Sequence, residues 1–139
     1  MRHGFTILET TLCVCLVSIL TAIALPRFSR IVDAIEVRSA ALAIETAFAA
    51  ARHLAIARGA QASVDIDTAA RVVSVRIGTD TLRKVEFPRE RAIQLQATRS
   101  SMSYSAIGVG YGAANLTVVV KRNAAFDSVV VSRLGRVRH

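Results

Sequence analysis

Cysteine, histidine and charge are all scarce in this 139-residue chain, and each scarcity excludes something. The two cysteines, Cys13 and Cys15, stand two apart inside one apolar run. A helix there points them to opposite sides, so they cannot bridge and read as small apolar side chains. With no cysteine elsewhere, neither a disulfide framework nor a structural zinc site is on offer. The three histidines, His3, His53 and His139, are too scattered to suggest a ligand or catalytic cluster. Charged residues make up 20% against 53% hydrophobic, which excludes a disordered tail. The length excludes a multidomain enzyme, and no internal repeat or low-complexity linker is present. What charge there is leans one way, to a formal +8, which admits nucleic-acid, anionic-lipid or acidic partners without choosing among them.

The longest feature is the apolar run Phe5 to Leu25, FTILETTLCVCLVSILTAIAL, with Glu9 its single charged side chain. As a helix it spans roughly the 30 Å of a bilayer core, so it reads as a transmembrane segment. Met1, Arg2, His3 and Gly4 precede it as a short positive cap that stays cytoplasmic, which sends the body of the chain across the membrane. A cleaved signal peptide needs a small-residue site after its apolar stretch, and Pro26-Arg27-Phe28 stands there instead.

Glu9 needs a reason, because a carboxylate in hydrocarbon costs several kcal/mol unless it is protonated or paired. The economical partner is intermolecular, an amino terminus of a neighbouring copy or related subunit, which implies assembly inside the membrane. Gly4-Phe5-Thr6, then Glu9, then an apolar run to Pro26 resembles the amino terminus of type IV pilins and type II secretion pseudopilins. The resemblance implies that a prepilin peptidase cuts after Gly4 and that the new terminal Phe5 is N-methylated. It implies further that Glu9 neutralises the terminal amine of an adjacent subunit. Pro26 falls where that family carries its helix-weakening proline, and a mid-helix proline removes one backbone hydrogen bond.

From Arg27 to Arg58 no glycine or proline interrupts an alanine-rich stretch, and Gly59 follows as a stop, so one long helix is expected to continue out of the membrane. At 100° per residue Phe28, Ile31, Ile35 and Leu42 share one side, while Val37, Ile44, Phe48, Ala51 and Ala55 share roughly the opposite one. Such a switch suits a helix whose outer half packs on its own domain and whose inner half packs on other subunits.

After Gly59 the period becomes two. Ala62, Val64 and Ile66 alternate with polar residues, as do Val73, Val75 and Ile77, then Ile93 and Leu95; Leu116 to Val120 and Phe126 to Val131 are further runs. The expected fold is α+β: residues 1–4 a leader, 5–25 a transmembrane helix, 26–58 an extracytoplasmic helix and 59–139 an antiparallel sheet or sandwich, with Ser100 to Asn115 an irregular loop. The strand-rich half narrows the resemblance to the GspH/FimT group of minor pseudopilins and minor pilins. AARHLAIARGAQASVDI resembles that group's passage from helix to first strand. SYSAIGVGYGAANLTVVVKR followed by FDSVVVSRLGRVR resembles its carboxy-terminal pattern.

Other constellations carry less. Gly108, Gly110 and Ala113 fit a G-x-G-x-x-A pattern, but a strand follows where phosphate cradling needs a helix. Gly108 to Gly112 has the wording of a potassium filter, yet a single span without a pore helix leaves it a turn. Asp65 and Asp67 share a strand face without a histidine or third carboxylate beside them and read as solvated. No active site and no cofactor are expected.

The basic tail carries more, because residues 59–139 hold 12 Lys plus Arg against 6 Asp plus Glu. Arg136 and Arg138, two apart after Gly135, project to one side about 6 to 7 Å apart on an extended chain, close to the spacing of successive phosphates. The competing reading has them capping a strand or pairing with Glu86, Glu90 or the carboxy terminus. FimT-like minor pilins bind DNA through Gly-Arg-x-Arg, and Gly135, Arg136 and Arg138 match it, with Arg133 beside them. The sequence therefore carries two functional expectations above a generic single-pass anchored domain. The first is a minor pilin or pseudopilin at a filament tip. The second is a module that captures extracellular DNA. Expected partners are other pilin or pseudopilin subunits, the prepilin peptidase, the inner membrane and, on the second reading, DNA. The expected location is the inner membrane, with a periplasmic carboxy-terminal domain.

Overall fold

The computed structural model describes residues 6–111, 115–132 and 134–138. Gly4, Phe5 and Arg133, three of the residues singled out above, lie outside them, as do Gly112 and Ala113. Two compact units are present, one ending at Val32 and the other beginning at Asp33, and helix α1 (Ile7–Arg58) contributes to each.

In the first unit every described side chain through Arg30 is exposed, from Ile7 at 84% to Phe28 at 66%. This stretch is long and apolar enough to cross a membrane. Its hydroxyls are turned back on the helix: Ser18 Oγ donates to the Val14 carbonyl at 2.8 Å and Thr21 Oγ1 to that of Val17 at 2.7 Å. Hydroxyls satisfied in this way present little polarity to lipid.

In the second unit α1 buries a seam at Val37, Ala41, Ile44, Phe48, Ala51 and Ala55, an alternating four-three spacing that keeps one face inward. Its alanines let the helix lie close to its neighbours, while Ile44 and Phe48 supply bulk. Ile35 and Leu42, expected on the other side, are exposed there. The helix ends in a Schellman motif. Gly59, at φ +58°, donates its N–H to the Ile56 carbonyl, and Ala60 donates to that of Ala55, each at 3.2 Å.

Among the described residues nine strands follow, where the sequence showed five distinct runs. β1 (Ala62–Asp67), β2 (Val72–Ile77), β3 (Asp80–Glu86), β5 (Ser101–Tyr104) and β6 (Gly110–Tyr111) form one antiparallel sheet in the order β3-β2-β1-β5-β6. β4 (Gln94–Ala97), β7 (Leu116–Arg122), β8 (Ala125–Val131) and β9 (Val137–Arg138) form the other in the order β4-β7-β8-β9. Val64, Val73 and Val75 from the first sheet and Val118, Val120, Val129 and Val131 from the second join the α1 seam in one buried cluster.

The expected loop from Ser100 to Asn115 is corrected in part. β5 pairs with β1, setting Tyr104 opposite Ala62, and β6 pairs with β5. The serines of Ser-Met-Ser-Tyr mask a strand whose inward positions are Met102 and Tyr104. Between β5 and β6 lies a tight turn at Ser105–Val109, in which Gly108, at φ +77°, donates to the Ser105 carbonyl at 2.8 Å.

Among the described residues one charged side chain is buried. Asp33, 9% exposed, lies 2.9 Å from Arg122 Nε and accepts a 2.9 Å hydrogen bond from Asn123 Nδ2. This ties the start of the second unit's helix to the β7–β8 turn, where Asn123 holds a left-handed φ of +52°.

Candidate functional site

Two regions hold the residues singled out by sequence. On the first unit's helix, Thr6 Oγ1 accepts the backbone N–H of Glu9 at 3.3 Å, one half of a capping box. The Glu9 carboxylate is exposed, and no basic group among the described residues is within ion-pair reach of it. Pro26 sits inside α1 without interrupting it. The Ser29 hydroxyl donates to its carbonyl at 2.9 Å.

The second region is built by the last hairpin of the second unit. β8 leads into a turn at Ser132–Gly135 that three hydrogen bonds fix: Gly135 N–H to the Ser132 carbonyl at 2.8 Å, Ser132 N–H to the Arg136 carbonyl at 2.8 Å, and Arg136 N–H to Ser132 Oγ at 3.1 Å. Val131 then pairs with Val137 and Val130 with Arg138. Val137 is half-buried, which leaves Arg136 and Arg138 both outward.

Gly135 is required twice over. Its φ is +78°, and a Cβ added there would stand 2.6 Å from Cε1 of Tyr104, a fully buried ring on β5. Gly135 therefore packs directly on the Tyr104 ring. The Tyr104 hydroxyl is buried without a hydrogen-bond partner among the described residues, and burial pushes its pKa up to about 12, opposed by the nearby Arg52.

Arg52 completes the region. It lies on α1 one residue beyond the buried Ala51, and its Nε would be 3.3 Å from a Cβ at Gly108. Arg52, Arg136 and Arg138 line one cavity of about 590 Å³ together with Asn115, Val130, Ser132 and Leu134. Among the described residues the lining includes no carboxylate, and none of the three arginines is ion-paired to one. Glu86, proposed as a partner for the tail, pairs with Lys84. The structure thus brings Arg136 and Arg138 to one face as the spacing implied, and adds Arg52, which no sequence motif marks. Such a cleft favours an anion.

The remaining candidates have ordinary roles. Asp65 lies 3.6 Å from Arg76, and Asp67 Oδ1 accepts the Ala70 N–H at 2.7 Å in the β1–β2 turn. No cluster of metal-ligating side chains occurs among the described residues.

No family model matches the chain, and no curated protein does. Solved structures do. The type IV minor pilin FimU of Pseudomonas aeruginosa superposes with a TM-score of 0.65 at 17% identity, covering 74% of this chain and 87% of that one. A second crystal form of FimU gives 0.62 at 16% identity, over 73% and 90%. The minor pseudopilin EpsH of the Vibrio cholerae type 2 secretion system gives 0.58 at 13% identity, over 74% and 94%. With its apolar amino-terminal helix leading into antiparallel sheets, the chain has the type IV pilin-like fold.

Proposed function

We propose that this chain is a minor subunit of a type IV pilus or type II secretion filament, of the GspH/FimT kind, with a structural rather than a catalytic role. In this reading the leader is removed after Gly4 and Phe5 is N-methylated. The helix through Pro26 holds the subunit in the inner membrane with its sheets in the periplasm, and Glu9 meets the amino terminus of a neighbour as the subunit enters the filament. The observation that supports it most is Glu9: an exposed carboxylate on an apolar, unburied helix, with no described cation in reach. In hydrocarbon that charge costs several kcal/mol, and a partner's amine offsets it. Membrane and sheared-filament fractions test this. Glu9→Ala should insert into membranes normally yet be missing from filaments, and intact mass should match a chain beginning at methylated Phe5. Normal incorporation of Glu9→Ala, or retention of Met1 to Gly4 in cells containing the peptidase, refutes it.

The basic cleft favours a second role on the same scaffold, capture of DNA through Arg136 and Arg138. A gel shift with the full chain in nonionic detergent should weaken steeply with salt and weaken again in the double variant R136A/R138A. Absence of binding at low salt removes this role.

A further inference from the structure

Resting on that nucleic-acid role, we infer that Arg52 joins Arg136 and Arg138 in a recessed phosphate site that takes an unpaired strand or a strand end rather than continuous duplex. The three arginines come from two separate elements, the rigid buried-seam portion of α1 and the β8–β9 hairpin, and converge on one concavity. Its volume, about 590 Å³, lies in the range of pockets that enclose a small ligand, about 300–1,000 Å³. That is room for a splayed nucleotide. A duplex is a stiff rod with a persistence length of about 50 nm, and its convex backbone meets only the rim of such a pocket. A single strand bends inward, sets phosphates against the guanidinium groups, and offers bases to apolar and guanidinium surfaces. The walls supply both kinds: Val130 and the 73% exposed Leu134 are apolar, and arginine planes stack on bases. Arg52 is positioned for this by Gly108, whose missing side chain leaves the space over which the guanidinium passes.

The test uses the full chain in nonionic detergent, with fluorescence anisotropy on labelled oligo(dT) and on a duplex closed at both ends by hairpin loops, at matched salt. Oligo(dT) should bind about tenfold more tightly than the closed duplex. R52A should weaken oligo(dT) binding about fivefold to thirtyfold, as R136A does, and flatten the log–log salt dependence by about 0.7. R52K, which keeps the charge but not the fork, should fall between, and unchanged thermal melting of each variant shows that the fold is intact. Equal or tighter binding of the closed duplex overturns the single-strand inference and leaves the DNA role standing. An unchanged R52A beside a weakened R136A removes Arg52 from the site. Displacement of oligo(dT) by heparin at equal charge concentration shows a site that reads charge alone and overturns the inference. Failure of both probes to bind at low salt removes the DNA role itself.

Discussion

Replacing Gly135 by alanine forces two costs onto the turn that carries the basic tail. The backbone there is left-handed at φ +78°, which an L side chain adopts at a cost of roughly 1–2 kcal/mol. The added methyl also meets Cε1 of Tyr104 at 2.6 Å, with Cδ1 at 3.3 Å and the Gly110 nitrogen at 3.4 Å. Tyr104 is fully buried, so its ring cannot swing aside, and overpacking of this kind costs typically about 1–3 kcal/mol. Together they predict a loss of about 2–5 kcal/mol. For a domain of this size that lowers the midpoint by roughly 8–40 °C at about 4–8 °C per kcal/mol. Gly78 is the internal control, with φ +58° but nothing within 4 Å of an added Cβ. Gly78→Ala should show only the conformational cost, about 1–2 kcal/mol. Thermal unfolding of the two variants, followed by the β-sheet circular dichroism of the full chain in detergent, compares them directly. Equal midpoints would show that the contact with Tyr104 contributes nothing and would refute the reasoning.

Further consequences follow from the same packing. Tyr104 carries a pKa raised to about 12 in the folded chain against 10.0 ordinarily, so above pH 10 the unfolded chain releases a proton that the folded chain keeps. Stability should therefore be full below pH 10 and fall as pH rises through 12, by about 2–3 kcal/mol in all, and Tyr104→Phe should remove that share of the alkaline loss. Tyr104→Phe should also leave neutral-pH stability unchanged or raised, because the hydroxyl it deletes is buried without a partner. Denaturant titrations at pH 7 and pH 11 check both. Asp33→Ala leaves Arg122, 20% exposed, beside no countercharge and should cost about 2–4 kcal/mol by urea unfolding. A loss under about 0.5 kcal/mol would mean that water already screens the pair. Phe48→Ala, a fully buried site on α1, should cost about 3–5 kcal/mol in the same assay.

The helix and the inward strands were readable because their burial is periodic. Val37, Ile44, Phe48, Ala51 and Ala55 were assigned to one face from angles alone, and all are buried. Val64, Val73, Ile93 and Leu95 alternate with polar residues and are buried as well, as is Val118 in the β-branched run Leu116 to Val120. β3 left no such trace. Its sequence, DTLRKVE, lies at a sheet edge with nearly every side chain exposed, so hydrophobicity does not mark it, and its lysine and arginine are what an edge strand carries to discourage further pairing. β5 was hidden for a different reason, since two serines dilute a pattern that only pairing with β1 completes. The buried Asp33 was equally invisible, because its partners Arg122 and Asn123 stand about ninety residues away and only the fold brings them together.

The site divides along the same line between local and long-range information. Arg136 and Arg138 are two apart on one strand, so the period of an extended chain already places them side by side. Arg52 is eighty-odd residues earlier, on a helix whose sequence shows only one more exposed basic residue, and nothing local connects it to the tail. Two glycines make the connection. Gly135 lets the hairpin turn settle on the Tyr104 ring, and Gly108 lets its own turn approach Ile56 and Arg52 on α1. A side chain at Gly135 would push the hairpin turn off the buried Tyr104 ring, whereas one at Gly108 would meet only the ends of the Ile56 and Arg52 side chains and so disturb Arg52 itself. Gly108, which in the sequence falls in a nucleotide-like and filter-like pattern, thus acts by close approach, as Gly135 does, and the charge the two help to gather is what an anionic ligand would meet.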